Sequence, residues 1–292
     1  MNSPIRALWR LARPSHWVKN SFVLAGVFFG EGWHNPEVLV LALSAFVAFC
    51  LAASAVYAVN DALDLEDDRS HPLKRLRPLA AGDISRPTAY AFSAALSAGA
   101  LAISLWTGPK LSAALIAYMV VNALYSRALK HVVILDVFCI AFGFIIRLLA
   151  GTWGIGVAPS HWFLLCTMAL SLFLGFSKRY AERMDSSRPL EDKRAVLRSY
   201  SPEFLRVLLG VTMSATLITY GLYTTNTQTV EFHRTNNLIY SLPIAMFGLF
   251  RYLYLVMEKG YGENTVADIL KDQTLLLICT VYVTCVALLL VF

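Results

Sequence analysis

The sequence predicts an all-α, polytopic integral membrane protein, and three observations lead there. Of the 292 residues 57% are hydrophobic and only 15% charged, where an average soluble domain carries about 25% charge. Mean hydropathy is +0.58. The apolar residues gather into about nine runs, each approaching the roughly 20 residues that a bilayer core asks of a helix. The basic residues between those runs fall almost wholly on one side, as they do in cytoplasmic loops.

In chain order, residues 1–16 come first and read as an amphipathic segment. Arg6, Arg10 and Arg13 with Leu8, Trp9 and Leu11 suit a helix lying on the membrane surface. The first nineteen residues have no early apolar core, so no signal peptide is expected. The nine spans then fall at 17–30, 37–59, 88–107, 110–124, 131–151, 161–177, 206–224, 237–257 and 273–291, the first and fourth being short. No polar linker divides them, so a single transmembrane domain over 1–292 is expected, with cytoplasmic loops at 60–87 and 178–206. The five cysteines sit in apolar runs without a C-x-x-C pair, which argues against a disulfide framework or a zinc site.

With the N-terminus in the cytoplasm, 21 of the 25 Lys and Arg fall in cytoplasmic segments, and only Lys110 and Arg234 on the opposite side. Arg147 and Arg251 lie within spans. The asymmetry puts the C-terminus outside.

The chemistry concentrates after the second span, in Tyr57-Ala-Val-Asn-Asp-Ala-Leu-Asp-Leu-Glu-Asp-Asp-Arg69. At about 100° per residue, Tyr57, Asn60, Asp61, Asp64 and Asp68 share one helix face about 100° wide, Glu66 faces away and Asp67 is undecided. Carboxylates at helical i, i+4 spacing repel one another, and a hard cation removes the conflict. Magnesium suits best, since it takes one or two carboxylates together with substrate phosphates, with Mn²⁺ an alternative. The competing reading is a solvated acidic helix end. Next comes Ser70-His-Pro-Leu-Lys-Arg-Leu-Arg-Pro78, which brings Lys74, Arg75 and Arg77 close behind the acids. A metal on carboxylates flanked by Lys and Arg is a way to hold pyrophosphate, although any single basic residue here also fits ordinary cytoplasmic charge.

Three further cytoplasmic pieces could face the same site. Lys19 stands in Arg13-Pro-Ser-His-Trp-Val-Lys-Asn20; Tyr125-Ser-Arg-Ala-Leu-Lys-His131 leads into Asp136; Phe176-Ser-Lys-Arg-Tyr-Ala-Glu182 closes the sixth span. Asp136 is costly to leave unpaired inside a helix, so it is a site candidate or a partner for Lys130. Arg147 either snorkels toward the far leaflet or points into a central cavity. Arg251 reads as snorkelling or packing. Several chemistries are absent from the sequence: no G-x-x-x-x-G-K-[ST] loop, no H-E-x-x-H and no G-x-S-x-G. The six histidines include no pair at ligand spacing on one helix, and His71 reads as a polar loop residue rather than a general base.

At Asn60-Asp61-x-x-Asp64-x-x-x-Asp68-Arg69, with Pro72-x-Lys74 and Arg77-Pro78 behind it, the chain resembles the first acidic motif of UbiA-type intramembrane prenyltransferases. The resemblance covers nearly the whole chain and implies nine transmembrane helices around a central lipid-accessible cavity. Most members of that family join a polyprenyl group to an aromatic acceptor, using two acidic motifs and two magnesium ions. Here Ser177-Lys178-Arg179-Tyr180-Ala181-Glu182 stands where the second D-x-x-x-D is expected. Together with Arg13-Pro14 to Asn20 and Tyr125 to His131, it is similar to the branch that moves 5-phosphoribose from phosphoribosyl pyrophosphate (PRPP) to a decaprenyl-type polyprenyl phosphate. That activity serves lipid-linked arabinose donors of actinobacterial cell-wall arabinan.

By that resemblance Asn60 and Asp64 hold magnesium, and Asp61 and Asp68 assist through the metal or its waters, so that Asp61, Asp64 and Asp68 form the catalytic set. Lys74, Arg77, Tyr125, Lys130 and Lys178 contact donor phosphates or ribose. Lys19 and Tyr57 sit near the lipid phosphate or the donor, with Arg147 a further substrate-binding candidate. Membrane, PRPP and polyprenyl phosphate are the expected partners, nucleic acid is not, and a homo-oligomer stays open. The alternatives are an aromatic polyprenyltransferase, which the cationic second motif disfavours, and a transporter. Against a transporter, the acids cluster at one mouth rather than at mid-bilayer.

Overall fold

The computed structural model describes all residues except 1–2, 30–34, 71–73, 155, 157–158, 187–188, 190–194 and 292. His71, Pro72 and part of the 178–206 loop therefore lie outside the described residues. All regular structure among the described residues is helical, as the composition predicts.

The chain forms two compact units, one of residues 1–127 and 145–159, the other of 128–144 and 160–292. The first unit opens with α1 (Pro4–Ala12), a 3-10 stretch over Pro14–Leu24 and α2 (Ala25–Phe29). It continues with α3 (Pro36–Leu63), α4 (Leu65–Ser70), α5 (Arg86–Thr107) and α6 (Pro109–Arg127). Helix α7 (Leu135–Trp153) starts in the second unit and ends in the first. The second unit adds α8 (His161–Met184), α9 (Ala195–Arg198), α10 (Pro202–Thr225), α11 (Thr227–His233), α12 (Leu242–Glu258), α13 (Thr265–Lys271) and α14 (Gln273–Val291).

Among the described residues seven helices are long and apolar enough to cross a membrane, rather than the nine expected. The two that differ are the short ones. Segment 17–30, interrupted by Lys19, Asn20 and Ser21, is a 3-10 stretch followed by five residues of α-helix. Segment 110–124 is a 19-residue helix, α6, whose Lys110, Ser112, Asn122 and Arg127 dilute its apolar character.

Sequence signals set the helix starts. Asn35, Ser85 and Ser201 each accept a hydrogen bond from a main-chain N–H of the helix that follows, and Pro36, Pro87 and Pro202 occupy the first turns. Helix α3 is the spine of the first unit. It buries Ala45, Ala48, Ala52, Ala53, Ala55, Ala58 and Ala62, and such small side chains let α5 approach closely where hydrophobicity alone gives little drive in lipid. The 3-10 stretch is tied to α3 by Trp17 Nε1, which donates to Ser54 Oγ at 3.0 Å, while Ser54 donates to the Ala12 carbonyl at 2.8 Å.

Helix α1 departs from the expected surface helix on one side. Ile5 and Trp9 are exposed, but Ala7 and Leu11 are buried against Ala58, Leu65 and Leu79. Arg10 donates to the Leu76 carbonyl at 2.7 Å. Leu11 thus faces protein, because α1 packs against the end of α3 that carries Ala58 and Ala62.

Candidate active site

The acidic segment keeps its helical register while bending. Helix α3 stops at Leu63, Asp64 is its C-cap, and α4 begins at Leu65. The Asp64 N–H still reaches the Asn60 carbonyl at 2.9 Å and the Asp68 N–H the Asp64 carbonyl at 2.8 Å, so the i→i−4 spacing survives the break. One guanidinium then draws two acids together: Arg77 Nη1 lies 3.2 Å from Asp61 Oδ1 and 2.5 Å from Asp68 Oδ2. Both carboxylates are buried.

Asp61 has a second cation that the sequence reading placed on the membrane surface. Arg13 ends α1 in the left-handed region, at φ +52°, and its Nη2 donates to Asp61 Oδ1. Its guanidinium also lies 5.1 Å from the centroid of the Tyr57 ring. The signal for Arg13 was present in the Arg13-Pro14 motif. Its partner, 48 residues away, was not readable from local spacing. The carboxylate repulsion is therefore relieved at Asp61 and Asp68 by arginines of the chain itself.

Asn60 and Asp64 are half-buried. Ser126 Oγ donates to Asn60 Oδ1 at 2.6 Å, orienting the amide oxygen. Asp61 Oδ2 is buried with no hydrogen-bond partner. Asn60 Oδ1, the Asp64 carboxylate and Asp61 Oδ2 are hard oxygen donors of the kind magnesium prefers. Among the described residues no three His, Cys, Asp or Glu side chains are grouped to hold a metal ion. Lys74 is half-buried, Lys19 is exposed, and Tyr125 is half-buried one residue before Ser126.

Arg147 resolves toward the interior. It is 6% exposed; its Nε donates to Asn20 Oδ1 at 2.7 Å and its Nη2 to Tyr118 Oη at 2.9 Å, with the guanidinium 4.5 Å from the Tyr118 centroid. Asn20 Nδ2 turns to Cys50 Sγ at 3.2 Å. This network is possible because Gly151 has no side chain: a Cβ there would overlap the Val23 main chain.

In the second unit, Lys130 is half-buried in the 3-10 turn Leu129–His131, and Lys178 is half-buried on α8. Asp136 is fully buried and takes Arg179 Nε at 2.6 Å, so its ion partner is Arg179. Arg179, 1% exposed, also donates to Glu182 Oε2 at 2.5 Å. Tyr200 completes the cluster with Oη 2.7 Å from Asp136 Oδ1; burial pushes its phenol up, keeping it a proton donor. Arg251 likewise pairs rather than snorkels, at 2.7 Å from Asp272 Oδ2, and this bond holds the Asp272 carboxyl below the usual carboxylate range.

The UbiA prenyltransferase family model matches residues 20–268. The chain belongs to the UbiA prenyltransferase family. Among its relatives is the decaprenyl-phosphate phosphoribosyltransferase of Mycolicibacterium smegmatis, 37% identical over 223 residues, which are 75% of this chain and 70% of that protein. The Mycobacterium tuberculosis protein of the same name is 37% identical over 215 residues, 72% of this chain and 71% of its own. In structure the chain is similar to a UbiA homolog from Archaeoglobus fulgidus bound to GPP and Mg²⁺. The TM-score is 0.71 at 20% identity, with 98% of this chain and 97% of that one covered. The UbiA fold is therefore shared across nearly the whole length.

Proposed function

We propose that this membrane transferase moves 5-phosphoribose from PRPP to a polyprenyl phosphate of the decaprenyl type, releasing pyrophosphate. The observation that carries the reading is the cationic second motif. Lys178 stands where a prenyl-diphosphate enzyme of this family has an acid, and the relatives matched over more than two thirds of the chain are named as phosphoribosyltransferases. A donor with a 5-phosphate and a diphosphate, meeting a phosphorylated lipid, needs more cations and fewer acids than an aromatic prenylation.

In this reading an oxygen of the lipid phosphate attacks ribose C1 as the C1–O bond to pyrophosphate breaks. The acceptor is already ionised at neutral pH, so the reaction asks for no strong general base. Asn60 and Asp64, with Asp61 Oδ2, would hold Mg²⁺ (or Mn²⁺), which when bound neutralises charge on the departing diphosphate. Asp61 and Asp68 keep Arg77 oriented, and Arg77, Lys74 and Tyr125 bind the donor. Lys130 and Lys178 add further phosphate contacts. Lys19 and Tyr57 serve the lipid phosphate or the donor; Arg147, bonded to Asn20 and Tyr118, is a further candidate for substrate binding. The N-terminus and the loops at 60–87 and 178–206 face the cytoplasm and the C-terminus lies outside. Tags at positions 75 and 190 are expected to be reachable from the cytoplasm alone and a tag at 230 from outside alone; labelling of 75 and 230 from one side overturns that orientation.

The chemistry is tested with purified protein, labelled PRPP and polyprenyl phosphate, followed by lipid extraction. Label in the lipid fraction is expected. Label retained in water, with consumption of a prenyl diphosphate and an aromatic acid instead, favours the aromatic prenyltransferase reading. Charge-assisted bonds to phosphate contribute about 1.5–3 kcal/mol each. Lys178→Ala is therefore expected to raise the KM for PRPP by roughly ten- to a hundredfold and to leave that for the lipid nearly unchanged. Equal changes in both constants would place Lys178 elsewhere.

A further inference from the structure

Ile134 has φ +71°, a left-handed conformation in which a β-branched residue is a genuine outlier. Packing does not explain the choice, for its side chain is 38% exposed. Its carbonyl accepts from the Val137 and Phe138 N–H groups at 3.0 Å as α7 begins, and Tyr200 holds its other side: the Ile134 N–H donates to Tyr200 Oη at 2.7 Å, and the same hydroxyl donates to Asp136 Oδ1. Tyr200 is itself fully buried, and its carbonyl accepts from Arg183 Nε of α8 at 3.1 Å. A single residue outside the long helices thus ties the link before α7 to α8, through its side chain on one side and its main chain on the other. Lys130 lies four residues before the strained turn, and Lys178 lies next to Arg179, the ion partner of Asp136.

We propose that Tyr200 is a positioning residue, whose hydroxyl keeps Ile134 in its left-handed turn and so sets where Lys130 and Lys178 present their charges to the donor phosphates. The assignment rests on the reading that these lysines contact PRPP. Without the hydroxyl, the turn relaxes toward an ordinary φ and carries the Leu129–His131 turn with it. A glycine at 134 adopts positive φ without strain, so it removes the need for the clasp.

The test uses the full chain with Mg²⁺, reading KM for each substrate and PRPP binding by calorimetry. Tyr200→Phe is expected to raise the KM for PRPP about tenfold and leave that for polyprenyl phosphate within twofold. Ile134→Gly alone is expected within twofold of wild type, and Ile134→Gly in the Tyr200→Phe background is expected to recover most of the lost affinity. If Tyr200→Phe does not accumulate, the double variant takes its place: near-wild-type PRPP affinity there supports the assignment, and a KM still raised tenfold overturns it. A lowered melting temperature with both KM values unchanged overturns it too, since a purely structural residue behaves that way. A wild-type chain that binds no PRPP overturns the functional reading together with this assignment. A wild-type chain that binds PRPP no better than Tyr200→Phe overturns this assignment alone.

Discussion

An Asp64→Asn chain is expected to accumulate and melt as the wild type does, yet to transfer no measurable phosphoribose. The substitution conserves volume, and Asn tolerates the C-cap conformation that Asp64 adopts at φ −91° and ψ 14°. The main-chain bond from its N–H to the Asn60 carbonyl is untouched. What disappears is the carboxylate charge beside Asn60, where a divalent ion would sit. Changes in residues that only support a metal ligand typically cost 10–100-fold, so loss of a ligand itself is expected to exceed about a hundredfold. Activity of the wild type should fall in excess chelator and return with Mg²⁺. Full turnover in chelator, or in Asp64→Asn, would overturn the metal assignment. The neighbouring Asp61→Asn is expected to behave differently. It weakens the anchors of Arg13 and Arg77 at a buried position and should lower the melting temperature as well as activity.

How much of this was readable in the sequence depends on the range of the interaction. The all-helical class, the long apolar helices and the shared face of Asn60, Asp61, Asp64 and Asp68 follow from periodicity and composition, which are local. The identity of each charge's partner is not local. Arg13 finds Asp61 across 48 residues, Arg179 finds Asp136 across 43, and Arg147 finds Asn20 across 127. Hydropathy and charge counting treat each arginine by itself, and packing supplies its partner. The helix count went wrong where a span was short or diluted by polar residues. In segment 17–30 a 3-10 stretch takes the place of a long helix, whereas α6 keeps its 19 residues and differs only in its polar content.

The contrast between Lys178 and Arg179 turns on the same point, and Arg179→Ala is expected to be the most destabilising change in the second unit. Both residues belong to the cationic motif. In the structure Arg179 is 1% exposed and Asp136 fully buried. Removing the guanidinium would leave the Asp136 carboxylate in the interior with the Tyr200 hydroxyl beside it and no cation bonded to it among the described residues. Breaking a buried pair from one side costs about 3–5 kcal/mol, a large share of the 5–15 kcal/mol that typically separates folded from unfolded chains. Arg179→Lys should recover only part of this, because a single ammonium does not reproduce the fork by which Nε reaches Asp136 and Nη1 reaches Glu182. Removing both charges, in Asp136→Leu with Arg179→Met, should restore more stability than Arg179→Met alone, since no uncompensated carboxylate is left behind. Melting temperatures of the four variants in one detergent decide the matter. If Arg179→Ala melts with the wild type and instead raises the KM for PRPP, Arg179 contacts the donor, and the cationic motif acts through both of its basic residues.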